Sequence, residues 1–271
     1  MSHDYLSASL KPILSRRSLL VQGGRGLLAG ALAQTMWTES LFASSLTADL
    51  EPWIENLYGA AESLRKGYTS EAAWLATMDR LYGEVNLPAL LANLDFDRIR
   101  EQLNRDPSSE IFVGAQFRGE NSDEMEQEPQ PGQLHLINKI AHVKKGKCIP
   151  PHGHSNMVSA FLVVSGTFQA RQFDCLKYDD AAKKMWVKPA VDVVQTAGQW
   201  TSISDERTNA HWLEALSDDT FLFSTKLSYL QSQRPTRGRI PFNTHQARDV
   251  GRGVLEVPVI SGDESNQIYN S

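Results

Sequence analysis

The chain carries two histidines, His152 and His154, at a spacing that suits metal binding. They follow Gly146 and a Pro-Pro pair, and an apolar run begins soon after them at Val158. If this segment forms a β-strand, residues two apart point to the same face, so both imidazoles project together. Two ring nitrogens could then bind one metal ion, with the remaining ligands supplied from elsewhere in the chain.

The residues around this pair resemble the first motif of the cupin superfamily, which places a Gly, a His-x-His pair, a Glu and a second Gly at set spacings. Gly146, His152, His154 and Gly166 match that pattern. Ser159 occupies the Glu position. The resemblance therefore implies a metal site that lacks the usual carboxylate.

A second cupin motif, a Gly followed by a His, is matched by Gly198 and His211. Its Pro-x-Gly element reads Ser204-Asp205-Glu206 here, and its terminal Asn is replaced by Ala215. The resemblance spans about residues 110–230 and implies a mainly β fold, an antiparallel jelly-roll barrel with an N-terminal helical segment. The metal ligands that it implies are His152, His154 and His211.

An all-histidine triad is similar to that of the iron-dependent thiol dioxygenases. The resemblance thus implies Fe²⁺ and the oxidation of a small thiol or another small organic molecule. The residue types alone leave the metal open, because neutral imidazole also suits zinc, copper and nickel, and manganese is a further candidate. Since imidazole binds metal only when neutral, metal affinity should fall as the pH drops below about 6.5.

Two other functions stay open from the sequence. The departures at Ser159 and in the second motif also fit a cupin that binds a metal or a small molecule without turnover. The third option is a non-oxidative lyase or isomerase, in which zinc, nickel or manganese acts as a Lewis acid. Tyr178 or Tyr229 would then be the proton donor.

Candidate pocket residues are expected on inward-facing strand positions near the triad. Arg171 and Tyr229 are the candidate catalytic residues, and the Arg171 guanidinium could bind the carboxylate of an acidic substrate with two hydrogen bonds. A surface ion pair is the alternative for Arg171. Gln169 and Ser159 are further candidates, whereas Trp212 alternates away from the triad and is expected to fill a core.

The composition favours a small-molecule ligand. The chain has 271 residues, is 41% apolar and carries a formal net charge of -5. This length and apolar content allow one sizeable core, and the negative charge argues against a nucleic-acid partner, which would favour a basic face. The acidic run at 120–133 contains Pro129 and Pro131 and is expected to be a solvated loop. Cupins often dimerise through barrel edges, so the resemblance leaves a homodimer open.

Residues 1–45 form a predicted targeting segment. Arg16 and Arg17, preceded by Ser15, resemble a twin-arginine export signal. The Gly- and Ala-rich run that follows at 19–33 is too short and too polar for a stable membrane span. Export to the periplasm is therefore expected; if the segment is an ordinary amphipathic helix instead, the protein is cytoplasmic.

The spacing of apolar residues divides the rest of the chain into three regions. Residues 49–105 show 3.6-residue apolar stripes and are predicted to be helices that pack on the barrel. Residues 110–230 contain many short β-rich runs, as expected for a barrel or jelly roll. In the tail at 231–271, the apolar run 254–260 could add an edge strand.

The remaining cysteines and histidines are assigned from their context. Cys148 and Cys175 could form a single bridge in an oxidising compartment or remain two buried thiols. His135 and His142 precede the His-x-His pair. Either could be a fourth metal ligand or a hydrogen-bond donor behind the ligands, but a surface position is favoured.

Overall fold

The computed structural model describes residues 50–118, 136–231 and 233–271. The predicted targeting segment, the acidic run and His135 lie outside these residues. Four helices come first in the described chain. They are α1 (Glu51–Arg65), α2 (Glu71–Glu84), α3 (Leu87–Asn93) and α4 (Phe96–Asn104).

The starts of two helices are set by capping side chains. The Ser70 hydroxyl accepts a hydrogen bond from the Ala73 backbone N–H at 3.2 Å, which begins α2. The Asn86 side chain accepts from the Ala89 N–H at 3.2 Å and begins α3. Each cap satisfies a backbone donor that has no partner inside the helix.

Twelve strands follow within the described residues. They are β1 (Glu110–Gly114), β2 (Leu136–Val143), β3 (Cys148–Ser155), β4 (Met157–Ser165), β5 (Thr167–Asp179), β6 (Lys184–Thr196), β7 (Trp200–Ile203), β8 (Ala210–Ala215), β9 (Thr220–Ser228), β10 (Arg237–Pro241), β11 (Arg248–Asp249) and β12 (Leu255–Pro258).

The strands form two antiparallel sheets. The first sheet has the order β1-β2-β9-β4-β7, and the second has the order β10-β3-β8-β5-β6-β12-β11. Most neighbouring strands are not consecutive in the chain, as in a jelly roll, whereas β1-β2, β5-β6 and β11-β12 are. The predicted fold class, mainly β and antiparallel with N-terminal helices, is confirmed.

The first sheet separates two cores because its side chains alternate between faces. Leu162 on β4 and Phe221 and Phe223 on β9 face the helices and pack with them in one cluster. Val163 and Leu222, one residue along each strand, face the second sheet and pack in another cluster. The helices therefore cover the outer face of the barrel wall.

A buried hydrogen-bond chain joins the helical layer to the barrel. The Tyr82 hydroxyl on α2 donates to Thr225 Oγ1 on β9 at 2.8 Å. Thr225 Oγ1 in turn donates to Asn138 Oδ1 on β2 at 2.8 Å. Three elements are thus fixed to one another by side chains that are shielded from solvent.

The turn at Ser165 and Gly166 requires glycine. Gly166 has a φ of +75°, a left-handed conformation that other residues adopt only with strain. A Cβ at this position would also lie 2.8 Å from Thr220 Cα. The turn between β4 and β5 therefore needs glycine at this position.

The C-terminal residues wrap the second sheet. β10 pairs with β3, and β12 pairs with β6 within the apolar run at 254–260. A final helix, α5 (Gly262–Asn270), begins at a capping box formed by Ser261 and Glu264. Sequence patterns did not predict β10 or α5.

The end of α5 docks on the strand that carries the His-x-His pair. Asn270 Oδ1 accepts from the Cys148 N–H at 2.8 Å, and Asn270 Nδ2 donates to the Cys148 carbonyl at 3.0 Å. The Lys147 ammonium donates to the carbonyls of Asn270 and Ser271. These bonds hold the start of β3.

His142 is buried, with its ring stacked on Phe221 at 4.5 Å between centroids, so its predicted surface position is wrong. It faces the helices because it alternates with the residues of β2 that face the second sheet.

Both Cys148 and Cys175 are free thiols, and no bridge joins them. None of the helices in the described chain has the length and apolar character needed to cross a bilayer.

Candidate metal centre

Two neighbouring strands bring three histidines together. His152 and His154 lie on β3, and His211 on β8 is the direct register partner of His152. The ring centroids of His152 and His211 are 4.3 Å apart, and those of His152 and His154 are 4.6 Å apart. One potential ligand atom of each ring lies within 4.8 Å of the others. We call these three residues the histidine triad.

The local sequence orients the first ligand. Pro150 and Pro151 have no N–H to give to a ladder, and the pairing of β3 with β8 shifts between Ile149 and His152. The Pro150 carbonyl is turned toward His152 and lies 2.7 Å from its Nδ1. A proton on Nδ1 donated to this carbonyl leaves Nε2 as the free metal ligand.

Burial keeps the triad neutral. His152 and His211 are buried, and His154 is partly buried. Loss of hydration lowers the pKa of His152 and of His154 well below the usual value, and the neighbouring His211 lowers both further. The pKa of His211 is lowered to about 3, mainly by loss of hydration and also by the positive charges of Arg239 and Lys226. The rings are therefore in the metal-binding form at neutral pH, and proton competition is expected only at a lower pH than an unperturbed histidine would give.

A cavity of about 350 Å³ opens beside the triad. Apolar side chains form much of its wall, including Phe112, Met157 and Phe161. The Phe161 ring lies 5.1 Å from the His211 ring, which restricts that imidazole. The described residues that line the cavity all lie on strands, so this part of the wall belongs to the rigid part of the fold.

The donor set fits a divalent transition metal. The triad offers three imidazole nitrogens, and the described residues that line the cavity include no Asp, Glu or Cys. Nδ1 of His154 and Nδ1 of His211 are buried without a hydrogen-bond partner among the described residues. A purely structural polar cluster would satisfy such atoms. Three nitrogen ligands suit zinc, iron, copper or nickel and leave coordination positions open to the cavity.

The structure places the two candidate catalytic residues away from the cavity. Arg171 lies on the opposite face of β5, where its Nη1 is 3.0 Å from Glu214 and its guanidinium covers the Trp212 ring at 4.2 Å. This is the ion-pair alternative of the sequence analysis. Tyr229 follows β9 with a φ of +63°, and it does not line the cavity.

The other candidates divide between the two faces of the sheets. Ser159 lines the cavity, and its hydroxyl donates to the Thr225 carbonyl at 2.9 Å. Gln169 binds Asp192 on the outer face. Trp212 points away from the triad and packs against Tyr269 of α5, with ring centroids 5.3 Å apart. The Tyr178 hydroxyl donates to Asp180 at 2.9 Å, outside the cavity.

Three cationic residues of the cavity were missed by the sequence analysis. They are Lys139 on β2, Lys226 on β9 and Arg239 on β10. Burial lowers the pKa of Lys226, and the charges of Lys139 and Arg239 lower it further. The alternation of side chains along β9 could have indicated Lys226, because it puts Lys226 on the same face of the strand as Leu222 and Ser224.

Comparison with known proteins adds no functional assignment. No protein-family model matches the chain, and no curated protein matches it. KdgF from Halomonas sp. is a similar solved structure, 13% identical over 46% of this chain and 84% of its own, with a TM-score of 0.30.

Two further solved structures have comparable values. An 11S globulin from Wrightia tinctoria is 13% identical over 39% of this chain and 22% of its own, with a TM-score of 0.29. An uncharacterized protein with a double-stranded β-helix domain from Klebsiella pneumoniae is 15% identical over 44% of this chain and 89% of its own, with a TM-score of 0.28.

Proposed function

We propose that the protein is a cupin-type metalloenzyme in which His152, His154 and His211 hold a divalent metal ion, with Fe²⁺ as the first candidate. Its reaction would be the dioxygenation of a small organic molecule, and small thiols are the first substrates to test. One observation carries this proposal. Three neutral imidazoles converge on the wall of a cavity that, among the residues described, is lined by no carboxylate and no thiol.

The surrounding residues support a reactive site over a structural one. A structural metal usually has a closed shell of four protein ligands, whereas three leave positions for substrate. Ferrous iron, when bound, would supply the redox capacity that activates dioxygen. The hydrogen bond from His152 to the Pro150 carbonyl and the contact of Phe161 with His211 hold two ligands in place. The apolar wall restricts water around the reacting molecule.

A second candidate function is a non-oxidative lyase or isomerase reaction. Lys226 favours it, because an ammonium beside a Lewis-acidic ion can stabilise negative charge that develops on a substrate oxygen. Binding of a metal or small molecule without turnover is the third outcome to be separated by experiment.

Metal content and oxygen consumption test these functions together. Wild-type protein and the variants His154→Ala and His245→Ala are purified, and metals are measured by elemental analysis. His245 is an exposed histidine outside the triad, so its variant is the matched control. Oxygen uptake is then followed with a panel of small thiols and organic acids.

The proposal expects near-stoichiometric iron in the wild type and in His245→Ala, its loss in His154→Ala, and substrate-dependent oxygen uptake. Zinc, nickel or manganese without oxygen uptake would favour the lyase or isomerase, or simple binding. Metal-free protein that also fails to bind added Fe²⁺ would reject the metal site.

We also propose that the protein is exported to the periplasm, on the basis of the twin-arginine-like segment. Cell fractionation of the wild type beside an Arg16→Lys, Arg17→Lys double variant tests this. Retention of only the double variant in the cytoplasm is expected. Equal distribution of both proteins would contradict export by this route.

A further inference from the structure

The cavity beside the triad is positively charged. Lys139, Lys226 and Arg239 line it, and no Asp or Glu does within the part of the chain that the structure describes. The whole chain, in contrast, has a formal net charge of -5. The cations are therefore concentrated at this site against the overall charge of the protein.

Two of these three charges have no counter-charge among the described residues. Arg239 forms an ion pair with Glu110 at 2.5 Å and lies over the Phe112 ring at 5.0 Å. Lys139 and Lys226 have no ion pair or hydrogen bond with any residue in 50–118, 136–231 or 233–271. Lys226 is also partly buried. Placing an unpaired charge away from water costs free energy, which indicates a use for it other than stability.

The position of Lys226 points to a negative group on the ligand. Lys226 on β9 is the direct register partner of Ser159 on β4. Ser159 stands where the cupin motif has its glutamate. At this place the described residues offer a hydroxyl opposite an ammonium group, with no carboxylate among them. A negative charge opposite the ammonium is then expected from the ligand.

We infer that the cavity binds a small organic acid, whose carboxylate lies against Lys226 while the exposed Lys139 adds charge on the solvent side. The inference rests on the proposed function and names its substrate class. A volume of about 350 Å³ suits a small molecule. A carboxylate is favoured over a phosphate because the described lining residues all lie on strands, so none of them supplies the N–H groups of a helix N-terminus for phosphate.

Calorimetric titration tests the inference with a charged and a neutral probe. Succinate and its neutral analogue succinamide are titrated into the full chain, both metal-free after chelator treatment and loaded with zinc. The variants are Lys226→Met, which keeps an unbranched side chain without charge, and Lys188→Met, an exposed lysine on β6 as the control. Lys226→Gln replaces the Met variant if that protein is insoluble.

The wild type and Lys188→Met should bind succinate at least about tenfold more tightly than succinamide, because the unpaired ammonium attracts the carboxylate. Lys226→Met should bind succinate about tenfold more weakly than the wild type. Ser159→Glu should show the same loss of succinate affinity, since a protein carboxylate would then occupy the place opposite Lys226. Equal affinity for the two probes, or equal loss in both lysine variants, would overturn the inference. Tighter binding of glycerol phosphate than of succinate would overturn the assignment to a carboxylate.

Thermal unfolding gives an independent readout. Without ligand, Lys226→Met should melt at a higher temperature than the wild type, because an unpaired charge has been removed from a partly buried position. Succinate should raise the Tm of the wild type and leave that of Lys226→Met unchanged. A lower Tm for the ligand-free variant, together with unchanged succinate binding, would assign Lys226 a structural role.

The two proposals fail in different ways. Succinate binding to metal-free protein does not depend on the triad holding an ion. If no metal binds, the proposed function fails while the anion site stands. If metal binds and succinate is not preferred, only the substrate class fails.

Discussion

His152 and His211 are direct register partners in the antiparallel pair of β3 and β8, with ring centroids 4.3 Å apart. Two of the three candidate metal ligands are therefore placed by backbone pairing before any metal arrives. The third, His154, follows two residues later on the same face of β3. The site is built on rigid strands, as accurate placement of ligands requires.

Removal of one triad member should weaken metal binding sharply. For His211→Ala we expect the dissociation constant for Zn²⁺ or Fe²⁺ to rise more than about tenfold, because even the loss of a residue that only supports a ligand costs about that much. Competition against a chromophoric chelator measures it. Unchanged affinity would mean that the metal binds elsewhere in the chain.

Acid should destabilise the metal-free protein through the triad. The pKa of His211 is about 3 in the folded chain and near 6.5 in the unfolded chain. Between these values the unfolded state binds a proton that the folded state does not, so stability is full above about pH 6.5 and is lost as the pH falls toward 3. One such group contributes a slope of up to about 1.4 kcal/mol per pH unit.

Urea unfolding of chelator-treated protein at about pH 7, 6 and 5 measures this slope. The variant His211→Asn should lose stability less steeply than the wild type. Burial raises the carboxyl pKa values of Glu71 and Asp205. Both carboxyl groups are present in the wild type and in His211→Asn, so their contributions to the slope cancel when the two proteins are compared. His245→Asn, outside the triad, should keep the wild-type slope. Parallel curves for all three proteins would contradict the prediction.

The hydrogen bond between the helical layer and the barrel should contribute to stability. Tyr82→Phe removes the donor to Thr225 Oγ1 in a buried position and should lower the free energy of unfolding by about 1–2 kcal/mol. Tyr68 is 79% exposed, so Tyr68→Phe should change it by less than about 0.5 kcal/mol. Urea unfolding at neutral pH measures both. An equal effect of the two changes would show that the buried bond contributes nothing.

The two cysteines should react slowly in the folded protein. Burial raises the pKa of Cys148 to about 12 and that of Cys175 to about 11, so little thiolate is present at about pH 8. Alkylation followed by mass spectrometry should label both thiols in denaturant without reductant, and far more slowly in the native state. Labelling that requires prior reduction would indicate a bridge.

The parts of the site that follow from strand period were predictable, and those that depend on pairing between distant strands were not. The His-x-His spacing placed His152 and His154 on one face, and the second motif supplied His211. Lys139 and Lys226 are 87 positions apart in the sequence. They become neighbours only because β2 pairs with β9. Arg239 lies in a tail that showed no barrel pattern.

Arg171 shows a different limit. Strand alternation states that neighbouring residues face opposite sides, but it does not state which side is the interior. The apolar set Phe168 and Ala170 faces the core between the sheets, which puts Arg171 on the outer face. The helical region was predictable from its apolar stripes, whereas α5 is short and polar and is held in place by its contacts with β3.

One face of β9 contacts the helical layer and the other lines the cavity, and this limits how the site can change during evolution. Thr225 is bonded to the helical layer, and the next residue, Lys226, lines the cavity. Inserting or deleting one residue in this strand would exchange its two faces, sending the lysine into an apolar core and a phenylalanine into the cavity. New ligand preferences must therefore arise by substitutions at alternate positions, while length variation is confined to the connecting loops.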